Sequence, residues 1–304
     1  MGRVLADARA SFDLACALDL ETTLGVLQRG SRDPTIRVEG GEVWRAARTP
    51  QGSGTVRLLV AGRQLIADSW GSGAGWLIDH AGAWVGLDDQ PETFRPANQL
   101  LAQLHRRHPG LRLGRTGLVY ESLMPTILEQ KVPGVEAWRS FAGLVRTLGE
   151  SAPGPSDLWL QPSPDRLLHT PYWAVHQLGI ERRRFAAVKN AAASAPALER
   201  TLAGDAGRAR TALMSLPGVG PWSAAEVSAI AHGDRDVVSI GDYHLPHQVS
   251  WALAGEVRGT DERMLQLLEP YRGHRARVIR LLTLGGIHAP RFGPRIRLRR
   301  IAGI

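Results

Sequence analysis

One cysteine and two lysines are all that the 304 residues hold of those types. The single Cys16 excludes an intramolecular disulfide framework, a cysteine-rich zinc site and a four-cysteine iron–sulfur cluster, and it reads as a small buried hydrophobe. No apolar run approaches the roughly 20 residues that a bilayer span needs, and Met1-Gly2-Arg3-Val4 does not open an apolar signal segment. A soluble cytoplasmic chain acting as a monomer, with no membrane partner, is therefore expected. Gly71-Ser72-Gly73-Ala74-Gly75 lacks the full dinucleotide fingerprint, and no helical pattern is read after it. It is taken as a turn, so no nucleotide cofactor is expected.

What is present is arginine, unevenly placed. The net charge is +8, from 37 basic and 29 acidic side chains. Residues 1–95 carry 10 basic and 12 acidic groups, which leaves 27 and 17 for residues 96–304. A surplus confined to the later two-thirds suits a polyanion, because each phosphate neutralised releases counterions. Five of these arginines, at 291, 295, 297, 299 and 300, form a basic tail.

Hydrophobic patterning gives an α+β protein of two parts. In the first, residues 35–38, a Gly40-Gly41 turn and residues 43–46 form a hairpin pattern, followed by strand-rich stretches at 55–60 and 63–70. This is a small antiparallel-sheet domain, residues 1–92, with a helix or two. The stretch 90–97 contains Pro91 and Pro96 and marks a boundary. Beyond it, residues 93–304 read as a helical domain with the basic tail. Residues 118–131 and 137–148 are amphipathic; Pro125 should kink the first of these or mark its start. Residues 151–171 carry five prolines and read as a loop with one short helical turn.

The chemistry concentrates in residues 209–253. An apolar helical pattern, Ala212-Leu213-Met214-Ser215-Leu216, meets Pro217-Gly218-Val219-Gly220-Pro221, and a second helix starts at Trp222-Ser223-Ala224-Ala225. Glycines in so tight a hairpin permit positive φ and close backbone approach, so its N–H groups can face a phosphate without reading sequence. Twenty residues after Trp222 stands a lone carboxylate, Asp242. It follows the apolar run Val237-Val238-Ser239-Ile240 and lies within Gly241-Asp242-Tyr243-His244-Leu245-Pro246.

This hairpin followed at this interval by an aspartate resembles the helix-hairpin-helix DNA glycosylase superfamily, most of all its 3-methyladenine DNA glycosylase II type. The resemblance is specific over residues 216–245 and extends over about residues 98–285. It implies that the N-terminal sheet is like half of the TATA-binding fold. It implies that Asp242 is catalytic, stabilising positive charge on the sugar as the base departs; the same carboxylate can also cap the helix that begins near Tyr243. Trp222 falls where bifunctional relatives carry an attacking lysine, and Pro221, Ser223 and Ala224 offer no amine, so the resemblance implies a water nucleophile and an abasic site left uncut.

Trp222, Glu226 and Tyr243 are the base-pocket candidates, and Gly218, Val219 and Gly220 those for DNA backbone. Ile127-Leu128-Glu129-Gln130-Lys131-Val132 matches the segment before the family's helix-filling wedge, which puts Gln130, Lys131 and Val132 near the lesion. The hairpin of relatives also binds a monovalent cation, Na or K, which implies the carbonyls of Met214, Leu216 and Val219 here; no other cofactor is required. Some positions depart from the family. Glu226 and a residue near Thr283 replace pocket aromatics, and Gly241 stands where relatives have a second acid. Glu226 can face the pocket or pair with an arginine in solvent. His244 and His247, three apart, lack further metal ligands, and residues 271–275 can contact DNA or brace the pocket. The expected function is excision of flipped alkylated purines from damaged double-stranded DNA. The alternatives are a non-catalytic DNA-binding module, disfavoured by a carboxylate in the cleft, and a glycosylase for deaminated or oxidised bases.

Overall fold

The structure, a computed structural model, describes residues 5–290; the tail arginines at 291, 295, 297, 299 and 300 lie outside the described residues. Strands β1 (Ala8–Asp13), β2 (Ile36–Glu39), β3 (Glu42–Thr49), β4 (Gly52–Ala61) and β5 (Gln64–Trp70) form one antiparallel sheet, in the order β1-β5-β4-β3-β2. The expected hairpin is there: Gly40 and Gly41 have φ of 63° and 77°, and Glu39 pairs with Glu42 across them. Two consecutive positive φ values match the twist of the flanking strands, which is why glycines occupy the turn.

Two short sequence readings are corrected. A helix does follow the glycine-rich run: besides α1 (Leu20–Leu24), the N-terminal part contains α2 (Ala74–Trp84). The glycines serve packing, since a Cβ on Gly73 would lie 2.5 Å from the Gly52 carbonyl oxygen and 2.7 Å from Thr49 Oγ1. That crowding leaves no room for a phosphate. Cys16 is exposed rather than buried, in the link between β1 and α1, with the Arg112 guanidinium against its sulfur.

One face of the sheet, through Val43, Ala47, Val56, Leu58, Leu65 and Ala67, packs on Trp76, Leu77, Ala81 and Trp84 of α2. Burying each such side chain contributes about 1.5–3 kcal/mol. Leu118 and Ile230 from the later part of the chain join this core. The opposite face, through Trp44 and Ala46, is covered by Ala152, Leu158 and Leu160.

Beyond residue 98 the chain is mainly helical: α3 (Gln99–Arg107), α4 (Val119–Leu128), α5 (Gly134–Leu148), α6 (Pro164–His169), α7 (Trp173–His176), α8 (Arg182–Ala193), α9 (Ala195–Glu199), α10 (Ala206–Met214), α11 (Pro221–Val227), α12 (Leu245–Ala254), α13 (Asp261–Leu268) and α14 (Arg275–Leu284). The proline-rich stretch read as a loop holds α6 and a pair of two-residue strands, β6 (Glu150–Ser151) and β7 (Trp159–Leu160). Pro125 lies inside α4, all of whose residues are buried. Proline removes the bond to the carbonyl one turn earlier, and here that carbonyl, of Glu121, instead accepts the Gln161 side-chain amide at 3.0 Å.

The helices enclose two cores. Leu123, Ile127, Phe141, Val188, Leu213 and Val227 belong to one, and Leu101, Leu104, Val249, Met264 and Leu281 to the other. Helix α11 packs in the first and α12 in the second, so the segments singled out by sequence meet where the two cores adjoin. Among the described residues no helix is long and apolar enough to cross a membrane.

Candidate active site

The hairpin runs from Ser215 to Gly220, between α10 and α11. The Val219 N–H donates to the Leu216 carbonyl at 3.0 Å, and the Val219 side chain is buried in the first core. Gly218 has φ +93°, and a Cβ there would lie 2.5 Å from the Ala187 Cβ of α8. Both conformation and space demand glycine. Gly220 differs: its φ of −103° is open to any residue, and nothing stands within 4 Å of where its Cβ would be. Pro221 then opens α11 at a position that needs no N–H. The three carbonyls considered for a cation are hard oxygen donors, one of them at the end of α10, where the helix dipole is negative. They fit a monovalent ion. Among the described residues no group of three or more His, Cys, Asp or Glu could hold a metal.

Asp242 is half-buried, and both carboxylate oxygens are engaged. Oδ1 accepts the N–H groups of His244 and Leu245, each at 2.7 Å, and Oδ2 accepts the Trp222 ring N–H at 3.0 Å. The capping role and a fixed orientation thus coexist, and the helix itself begins at Leu245, two residues later than read from the sequence. Just before, Gly241 at φ +84° turns the chain, and its N–H donates to Asp261 at 3.0 Å. The bond between Trp222 and Asp242 was not foreseen. It assigns the ring a positioning role and leaves its faces for stacking.

Glu226 lies one turn beyond Trp222, on the same face of α11. Its carboxylate accepts the Ser239 hydroxyl. Burial pushes the carboxyl above the usual range; the Ser239 bond and the Arg29 charge oppose that rise, while the charges of Glu129 and Asp242 add to it. Glu226 is half-buried and bonded to Ser239, with the Asp242 charge among those acting on it. Tyr243 does not join them. It stands 74% exposed on the rim, its ring edge-on to His244 and to His247, because the two bonds to Asp242 Oδ1 set a turn that projects residue 243 outward. His247 Nδ1 accepts the Gly259 N–H at 3.0 Å, a structural use.

The segment after α4 is tied to the hairpin. Gln130 donates its side-chain amide to the Gly218 carbonyl at 2.9 Å and to Ser223 Oγ at 2.8 Å. Lys131 follows, exposed and at φ +57°, the one non-glycine residue with positive φ among the described residues. Val132 is half-buried. In residues 271–275 Tyr271 is buried and Arg275 pairs with Asp236, while Arg272 pairs with Glu269 on the surface. Thr283 is exposed on α14. Sequence reasoning quoted Glu129 and Ser239 only as parts of longer motifs, without a role, and missed Arg29 and Trp138, which no local pattern marks.

No family model matches the chain. A search of curated proteins finds DNA-3-methyladenine glycosylase 2 of Escherichia coli (strain K12), 27% identical over 179 residues; the match spans 58% of this chain and 62% of that protein. Among solved structures, a 3-methyladenine DNA glycosylase from Archaeoglobus fulgidus superposes with a TM-score of 0.76 at 20% identity, over 90% of this chain and 97% of that one. The chain has the helix-hairpin-helix DNA glycosylase fold. An 8-oxoguanine glycosylase/lyase from Clostridium acetobutylicum, in complex with double-stranded DNA, shares it with a TM-score of 0.68 at 13% identity, over 92% and 97% of the two chains. Within this glycosylase fold, position 222 of the present chain holds a tryptophan. Of its two lysines, Lys189 donates to the Leu168 carbonyl at 2.9 Å, and Lys131 lies in the loop after α4.

Proposed function

We propose that the chain is a DNA glycosylase that hydrolyses the N-glycosidic bond of a flipped alkylated purine, with water as the nucleophile. The observation that carries this reading is the carboxylate of Asp242, oriented through both oxygens, one of them bonded to the tryptophan ring at position 222. As the base leaves, positive charge grows on the sugar, and a preoriented carboxylate in a partly dry cleft stabilises it without reorganising. A purine alkylated at N3 or N7 is itself cationic. The carboxylate of Asp242 attracts it, Glu226 does so in its charged form, and a Trp222 face adds about 0.5–2 kcal/mol. A neutral base gains neither.

The hairpin supplies the DNA grip. The backbone at Gly218, Val219 and Gly220 approaches a phosphate, and a monovalent cation on the carbonyls of Met214, Leu216 and Val219 would add charge there. Lys131, with Val132 behind it, fills the gap left by the extruded base.

The test is product analysis. With methylated duplex DNA and a matched hypoxanthine duplex, free 3-methyladenine and 7-methylguanine are expected to appear faster than hypoxanthine. Strands should stay intact until treated with alkali, and borohydride should trap no protein–DNA adduct. A trapped adduct would refute the water mechanism, and hypoxanthine leaving as fast as the methylated purines would refute the substrate class.

A further inference from the structure

We infer that Arg29, from the sheet domain, is a positioning residue that stiffens the loop Glu129-Gln130-Lys131 against the DNA through its ion pair with Glu129. The inference rests on the glycosylase reading above and adds to it a role for the N-terminal domain in opening the duplex. The first two residues of this loop are held, and the third stands beyond them. Glu129, which ends α4, lies 3.5 Å from Arg29 Nη1 and accepts the Trp138 ring N–H at 3.1 Å. Gln130 is fastened to the hairpin through the Gly218 carbonyl and Ser223. Lys131, unattached by comparable bonds, is exposed at φ +57°. A side chain held in the left-handed region costs about 1–2 kcal/mol, and such strain persists only where the surroundings over-determine it.

The sheet domain's contribution is built rather than incidental. The Arg29 and Glu129 side chains are only 14% and 17% exposed. The Arg29 main-chain N–H donates to Asp33 Oδ2 at 2.7 Å, while Asp33 Oδ1 accepts the N–H and hydroxyl of Thr35 at 2.8 and 2.7 Å, which fixes the segment before β2. Next to Arg29, Gly30 at φ +78° lies flat on Trp138, where a Cβ would come within 2.8 Å of the ring. From the other side, buried Arg184 caps the Leu128 carbonyl at 3.0 Å. The end of α4 is therefore clamped from both parts of the molecule just before its strained residue. A side chain that must occupy the hole left by a base does so only if its loop resists being pushed back, and this clamp supplies that resistance.

Arg29 also acts electrostatically on Glu226, so a single Arg29 variant would mix two effects. A double-mutant cycle on Arg29→Gln and Glu129→Gln isolates the pair. Single-turnover excision is measured on a methylated purine paired in duplex and on the same lesion in a one-nucleotide bulge, where it is already unstacked. On the duplex, the double variant is expected to be no slower than the slower single variant, a coupling of about fivefold, with coupling within about twofold of none on the bulge. Gly30→Ala, which moves Trp138 without removing a charge, should likewise slow the duplex reaction more than the bulge reaction. Multiplicative losses on the duplex, equal coupling on both substrates, or a Gly30→Ala loss that ignores the substrate would each overturn the clamp. Wild-type protein that releases alkylated bases from neither substrate would instead sink the glycosylase reading, and the clamp with it.

Discussion

Two carboxylates near one another are held differently by their surroundings. Asp242 is bonded through both oxygens to N–H donors, which fixes its orientation. Glu226 receives a single hydroxyl, and burial pushes its carboxyl up. Its charge therefore appears only as pH rises above the ordinary carboxylate range. If that charge helps select cationic purines, the preference for 7-methylguanine over hypoxanthine should widen, by up to roughly tenfold, as pH rises above the ordinary carboxylate range. Glu226→Gln, which imitates the protonated form, should hold the ratio near its low-pH value throughout. A ratio in the wild type that does not move with pH would contradict the assignment. Asp242 and Trp222 were legible in the sequence because their signal is local: a hairpin, an interval and an apolar run. The setting of Glu226 was not, since it depends on Ser239 thirteen positions away. The meeting of Arg29 with Glu129, a hundred positions apart, depends wholly on tertiary packing.

At the level of elements, the hairpin separates two reasons for being glycine. Gly218 is required by the fold, because positive φ and the Ala187 methyl both exclude a side chain. Among the described residues nothing stands within 4 Å of a Cβ on Gly220, which in the proposed reading leaves space for a phosphate. Gly218→Ala should lower stability by about 1–3 kcal/mol in thermal or urea unfolding. Gly220→Ala should leave stability within about 0.5 kcal/mol of wild type and still weaken binding to damaged and undamaged duplex alike, several-fold. Unchanged DNA affinity in the Gly220 variant would remove the hairpin from the backbone contact. Strands β2 to β5 were readable because turn glycines punctuate alternating residues. Helix α2 was not. Its glycine-rich start is a packing device, and the run through Trp76, Leu77, Ala81 and Trp84 lacks a polar face sharp enough to show helical period. Pro125, read as a kink or a start, lies within helix α4, and Gln161, remote in sequence, satisfies the freed carbonyl.

Over the whole molecule, the site is assembled from three stretches: the Arg29 segment of the sheet domain, the end of α4, and the hairpin with Asp242. The chain carries a net charge of +8, which suits a polyanion, and in the proposed reading its two site carboxylates, Asp242 and Glu226, meet the flipped base. The account rests on the anion at position 242. Asp242→Asn keeps an oxygen for the N–H groups of His244 and Leu245 and removes the charge. Single-turnover release of 7-methylguanine from duplex DNA is expected to fall about 10²–10³-fold in this variant, with affinity for the damaged duplex held or raised. Release near the wild-type rate would contradict the account.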